Sequence, residues 1–233
     1  VAGNRTTPIV VSVCASEGLV MPKTSSRAIT SASGTADVIE TLANVEFGKE
    51  KMLKIIKKTN ACLAWGGSLN LAPADDKIIQ VERIMSLDPE AQLVASILSK
   101  KLSVNAKTVL IDIPYGESAK VDKKHALQLS KTFERFGKLL GLKVKTILTD
   151  GSQPIGNGIG PILEARDVVK VLSQSSDRPL DLENKSLKLS GIILEMTGKA
   201  NAGKGYEKAK DILKSELALK KFKEIINAQG GDS

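Results

Sequence analysis

Aromatic side chains are scarce: four Phe, two Tyr and one Trp make up 3% of 233 residues. So few rings leave almost nothing on which single-stranded bases could stack, and no zinc-finger, RNP or KH-type pattern is present. Nucleic acid is therefore not an expected partner, although 34 Lys and Arg against 26 Asp and Glu leave a formal charge of +8. Most of that surplus falls on stretches such as 49–58 and 214–223, which read as solvated helix faces. A lone histidine, His125, removes most metal-site and triad chemistry, and no metal is expected. The two cysteines, Cys14 and Cys62, lie far apart, each inside an apolar run, which suits buried thiols in a reducing compartment better than a disulfide. Apolar runs such as 8–15 are too short to span a bilayer, and no charged segment with a cleavage site precedes them. No membrane partner and a cytoplasmic location are the resulting expectations.

With 42% hydrophobic and 26% charged residues, the composition is that of a folded, enzyme-sized chain. A helical pattern over 7–17 is stopped by Gly18, and a short apolar segment, 19–22, leads into a hydroxyl-rich loop over 24–35. Asp37 then reads as the start of a helix carrying Val38, Ile39 and Leu42. Helix over 49–58, strand over 61–65, helix from Pro89, strand over 108–113, helix over 123–140 and strand over 144–148 follow in turn. The 108–113 strand is apolar enough to be covered on both faces, and Leu127, Phe133, Phe136 and Leu140 read as the packed side of the 123–140 helix. Three further helices are read over 159–172 and after Asp181 and Gly205, with 229–233 as a frayed end. This alternation predicts an α/β fold with a mostly parallel central sheet flanked by helices, where ligands gather beyond the carboxyl ends of the strands.

The stretch from Lys23 to Asp37, KTSSRAITSASGTAD, packs seven hydroxyl side chains, an Arg, a Lys and a Gly into fifteen residues. Hydroxyls and free backbone N–H groups are directional donors for an oxyanion, and Arg27 adds charge and bidentate geometry. A hydroxyl-rich surface linker has the same composition. The glycine spacings of the Walker A and dinucleotide-binding loops are both absent.

Residues 25–40, SSRAITSASGTADVIE, closely resemble the signature shared by thymidine, pyrimidine-nucleoside and AMP phosphorylases. The resemblance continues in Trp65-Gly66-Gly67, in 71–76 (LAPADD), in 86–89 (SLDP), in 95–101 (ASILSKK), in 111–116 (IDIPYG), and from 153–156 (QPIG) to 164–166 (EAR). Several motifs in the right order over nearly the whole chain are far more specific than any one alone. The variety present is most similar to the AMP phosphorylase and type 2 thymidine phosphorylase branch. The resemblance implies the phosphorylase α/β core, with helices of a split helical subdomain. Residues 1–74 would be its phosphate-binding first part, 75–105 a helical segment on the base-side wall, and 106–233 the remainder. The family's K-H-S-x-G-G segment would fall just before Val1, so an N-terminal helical domain and a C-terminal domain are expected outside these residues. Without them the 233 residues by themselves are expected to be inactive, and the full-length protein a homodimer.

The implied activity is phosphorolysis of an N-glycosidic bond without a cofactor, inorganic phosphate being the co-substrate and a nucleoside or nucleoside monophosphate the other partner. In one form, thymidine and phosphate give thymine and 2-deoxyribose 1-phosphate; in the alternative, AMP gives adenine and ribose 1,5-bisphosphate. By the same resemblance Ser25, Ser26, Arg27, Ala28, Ile29, Thr30, Ser31 and Thr35 bind phosphate or nucleotide. Asp88 would donate a proton to the departing base with Lys100 as its catalytic companion, and Ser96, Lys120 and Arg83 would contact base or substrate. From residue chemistry alone, Asp88 before Pro89 is also a good helix cap. Ser96 and Lys100 lie one helical turn apart. The sequence departs from the family at Ser33, where Gly or Ala is usual, and at the base-contacting arginine, for which Gln80 and Arg83 are imperfect counterparts. Glu164 reads equally as a cation ligand or as a helix-surface carboxylate.

Overall fold

The computed structural model describes residues 5–28, 32–69, 71–85 and 89–232, and of Asp76 and Arg83 the backbone alone. The chain forms two compact units, Val1–Leu69 with Gln153–Ser233, and Asn70–Ser152. Both are α/β with parallel strands, as expected, and the described strands pair within their own unit as two two-stranded sheets. No helix among the described residues is long and apolar enough to cross a membrane.

The first unit is built around α1 (Thr6–Ser16), buried on nearly every side. A helix apolar all round needs such enclosure, and Pro8 is tolerated in its first turn, where amides lack intrahelical partners. Gly18, at φ +81°, closes it. The Gly18 amide donates to Ala15 and the Leu19 amide to Cys14, the paired bonds of a left-handed helix stop. Strand β1 (Met21–Ser25) runs parallel to β2 (Ala61–Trp65), with Met21 opposite Ala61 and Ser25 opposite Trp65. Between them lie α2 (Thr35–Glu40) and α3 (Lys49–Thr59), the latter ended by Asn60 in the left-handed region at φ 62°. Gly34, not Asp37, caps α2; Asp37 stands in its first turn.

The second chain segment supplies α7 (Pro161–Leu172), α8 (Leu180–Met196), α9 (Gly205–Lys214) and α10 (Leu217–Ala228). These are four helices where three were expected, because Glu216 in the left-handed region, φ 61°, divides the last stretch. Val13, Leu63, Leu172, Leu194 and Ile225 are among the core side chains. The frayed end expected from 229 is also corrected, since Gln229 is fully buried. Its Oε1 accepts the Leu63 amide at 2.8 Å while its Nε2 donates to the carbonyls of Leu63, at 3.1 Å, and Asn44, at 2.9 Å. A side-chain amide thus pairs a strand residue as a neighbouring strand would.

The second unit contains α4 (Pro73–Met85), α5 (Glu90–Ser103), β3 (Thr108–Tyr115), α6 (Lys123–Leu139) and β4 (Lys143–Asp150). Strands β3 and β4 are parallel, Thr108 facing Lys143 and Tyr115 facing Asp150. Burial alternates along β3, with Val109, Ile111 and Ile113 in the core and their neighbours half-buried, so one face is covered and not both. On α6, Ala126, Leu129, Phe133 and Gly137 are buried, whereas Leu127, Phe136 and Leu140, expected on the packed side, are exposed. Gly137 is needed there, because a Cβ would lie 2.2 Å from the Val144 side chain on β4. Asp122 caps α6 by accepting the His125 amide at 2.7 Å.

Candidate active site

Strand β1 ends at Ser25, whose hydroxyl reaches the Ala64 carbonyl at 3.4 Å, and the chain passes straight into the hydroxyl-rich loop. Asp37 organises that loop: its Oδ2 accepts the amides of Ala28 at 2.7 Å and Gly34 at 2.8 Å, so one carboxylate oxygen ties both sides of the bend. Burial alone would raise this carboxyl, but the Gly34 and Ala28 amides, and then Arg27, hold it below the usual aspartate value. Gly34 is required by space rather than by backbone angle, since a Cβ would sit 2.4 Å from the Ser26 carbonyl and 2.9 Å from the Ala28 nitrogen. Thr35 and Ser33 are buried, while Ser26 and Ala28 face solvent.

Arg27 is held within the protein. Its guanidinium forms a two-pronged pair with Glu40 at 2.5 and 2.8 Å, meets Glu46 at 2.6 Å and Asp37 at 3.2 Å, and lies over the Trp65 ring at 4.9 Å. Donating hydrogen bonds to Glu40 and then Glu46 raises its already high pKa, and Arg27 in turn lowers that of Glu40. The expected anion-gripping side chain is therefore an oriented, carboxylate-bound one; Glu40 and Trp65 lie in motifs of the resemblance without an assigned role, and Glu46 joins the site without having been singled out from the sequence.

In the second unit Gln92, Ser96 and Lys100 fall on one row of α5, four residues apart. They converge on Asp75 in the first turn of α4. Asp75 is buried; its Oδ1 accepts Gln92 at 3.1 Å, and its Oδ2 accepts the Ser96 hydroxyl at 2.9 Å and pairs with the Lys100 ammonium at 2.8 Å. Lys100 also donates to Ser96 at 3.1 Å. The next residue, Lys101, has its pKa lowered by burial and by the charge of Lys100. Lys120 is exposed in the loop after β3, where Gly116 turns the chain and donates to the Val121 carbonyl.

Ser25 to Ala28 and Thr35 are thus brought to one loop, and Ser96 and Lys100 to one hydrogen-bonded cluster. Ile29, Thr30, Ser31 and Asp88 lie outside the described residues, as does the Arg83 side chain. The cap of α5 is Pro89, which corrects the expectation that Asp88 would take that place. Glu164, read as a cation ligand or a surface group, is buried against Arg5 at 3.3 Å. Arg5 also donates to the carbonyls of Ile155 and Gly158, while Asp167 accepts the amides of Asn157 and Gly158, both at 2.8 Å. The QPIG motif is in this way fastened to α1 and α7.

A parallel α/β chain with hydroxyls and an arginine beyond a strand end carries donors of the kind that hold an anion. Residues 4–219 match the glycosyl transferase family, a/b domain, and the chain belongs to that family. It is 54% identical over 230 residues to a protein of Legionella pneumophila strain Corby named "Putative thymidine phosphorylase". A Bradyrhizobium strain BTAi1 protein of the same name is 52% identical over 231 residues. These alignments cover 98% and 99% of this chain but 44% and 45% of the relatives, so the chain spans under half their length. In fold it is similar to anthranilate phosphoribosyltransferase from Thermus thermophilus, with TM-score 0.73, 15% identity, and coverage of 98% of this chain and 74% of that one. The Saccharomyces cerevisiae anthranilate phosphoribosyltransferase in complex with PRPP and Mg matches with TM-score 0.67 and 17% identity over 94% of this chain and 68% of that one.

Proposed function

We propose that this chain is the phosphate-binding core of a pentosyltransferase that cleaves a nucleoside with inorganic phosphate, thymidine giving thymine and 2-deoxyribose 1-phosphate. The observation that carries the reading is the continuous identity, above one half and over nearly the whole chain, to relatives named for that activity. The loop geometry supports it. In the reaction a phosphate oxygen bonds to the anomeric carbon as the carbon–nitrogen bond breaks; the bonding pair goes to the base, which takes up a proton. Two tasks follow: fixing an anion and stabilising charge on the leaving base.

The first task falls to the loop of Ser25, Ser26, Arg27, Ala28, Ile29, Thr30, Ser31 and Thr35. Arg27 serves it as a preset cation, exchanging one carboxylate partner for phosphate. Asp88 and Lys100 take the second task, with Ser96, Lys120 and Arg83 placing the substrate. No cofactor enters, and the whole protein acts as a cytoplasmic homodimer. AMP phosphorolysis to adenine and ribose 1,5-bisphosphate is the second reading, favoured by the SSRAITS and SLDP variety of the motifs.

Both readings are tested by incubating the full-length protein with phosphate and, separately, thymidine, uridine, AMP and CMP, and separating the free bases by chromatography. Thymine release that requires phosphate is the expected outcome. Adenine release from AMP alone would move the assignment to the second reading, and no release from any of the four overturns both.

A further inference from the structure

We propose that Asp75 is a positioning residue, which holds Ser96 and Lys100 as one fixed donor and acceptor unit for the leaving base. The inference rests on the phosphorylase reading and adds a residue to it. A carboxylate with 6% exposure is expensive to bury, and is tolerated only when its lone pairs are filled. Here they are filled by three side chains of a single row on α5: Gln92 on one oxygen, and Ser96 and Lys100 on the other. The carboxylate is informative because the groups it orders are partly exposed, Lys100 by about one third of its side chain.

The bonding directions matter. The Ser96 hydroxyl hydrogen is committed to Asp75, so its oxygen faces outward as an acceptor, already receiving one Lys100 proton. Lys100 spends one N–H on Asp75 and one on Ser96, which leaves a single aimed donor where a free ammonium would offer three rotating ones. Asp75 thereby turns two mobile side chains into a preorganised pair, and Gln92 keeps the carboxylate from rotating. Misplacing such a pair by about 1 Å costs on the order of 10²-fold in rate.

The test uses the full-length protein. In Asp75→Asn, kcat/KM for the nucleoside is expected to fall by roughly 10²-fold, while the KM for phosphate changes by less than about twofold because the phosphate loop belongs to the other unit. Asp75→Glu, which keeps the charge, is expected to recover part of the loss; it also carries the test if Asp75→Asn does not fold. In a Lys100→Gln background, Asp75→Asn should add clearly less than it costs alone, the remainder coming from Ser96, as expected of residues acting through one another. Equal changes in both KM values, or additive effects in the double variant, would reduce Asp75 to a structural role and overturn the proposal.

A readout independent of activity separates this from failure of the functional reading. With lysines carrying ¹³C-methyl groups, the Lys100 resonance should shift to the exposed-lysine position in Asp75→Asn, and an unmoved resonance overturns the proposal. A moved resonance in a protein without phosphorolysis leaves Asp75 as the anchor of Lys100 and sinks the phosphorylase reading instead.

Discussion

Arg27 and Asp75 show how a residue's role depends on partners that its neighbours in sequence do not reveal. The loop 25–35 is conspicuous for its hydroxyls, and the one-turn spacing of Ser96 and Lys100 is legible on any helix. Glu40 and Glu46 lie 13 and 19 residues from Arg27, however, and nothing in a single sequence says that three chain segments bring them within hydrogen-bond distance. Asp75 is 21 residues from Ser96. The polar row of Gln92, Ser96 and Lys100 on a largely apolar helix is the one available hint that a polar group must face it. Gly34 gives a direct test of the loop. Its φ of −92° suits any residue, so Gly34→Ala probes only the missing space beside the Ser26 carbonyl. Because the obstructing atoms are backbone, the loop must open: a loss of roughly 1–3 kcal/mol is expected in denaturant unfolding, with a raised KM for phosphate. An alanine variant of unchanged stability and phosphate affinity would show that the bend is not closed in the working protein.

Among the elements, those with strong local signals are legible and those defined by their ends are not. The α1 stop at Gly18, strands β2, β3 and β4, and α6 all follow from apolar pattern and glycine placement, whereas β1 reads only as a short apolar segment running into a loop. Helix α4 escapes a reading of the apolar pattern, although the resemblance implies a helical segment over 75–105; Pro73 and two adjacent aspartates resemble a loop until Pro73 is recognised as a first-turn proline. The division between α9 and α10 depends on Glu216 taking a left-handed conformation without glycine, which composition does not announce. The packed side of α6 is misleading in sequence because large apolar residues occupy both faces. The tightly packed face is marked by small residues, Ala126 and Gly137, that admit the strands. At this scale Gln229 makes a sharp prediction. Gln229→Met keeps the volume and removes both pairings of Leu63, so unfolding should be easier by roughly 1–3 kcal/mol for each orphaned group. Amide exchange should show Leu63 losing protection before the rest of β2; full protection in the variant would mean that another group takes over the pairing.

At the level of the whole molecule, two units with separate cores carry the two halves of the proposed chemistry, the anion loop in one and the Asp75 cluster in the other. The α/β class is legible because helix and strand alternate; the division at 69 and 153 is not, because no linker composition marks it. Phe133 is central to the second core and 1% exposed. Phe133→Ala should cost about 3–5 kcal/mol, and hydrogen exchange should locate that loss in residues 89–152 with α1 and α8 unchanged. Uniform loss of protection over both units would show that they unfold as one.

The outer side of β2 is closed by unusual means. The Gln229 carboxamide occupies Leu63, and the Val45 carbonyl accepts the Trp65 amide at 2.9 Å. A bare strand edge invites another molecule's chain to zip onto it. Here the residue that follows α10 serves as a stopper, so replacing Gln229 would expose a template for self-association as well as weaken the fold.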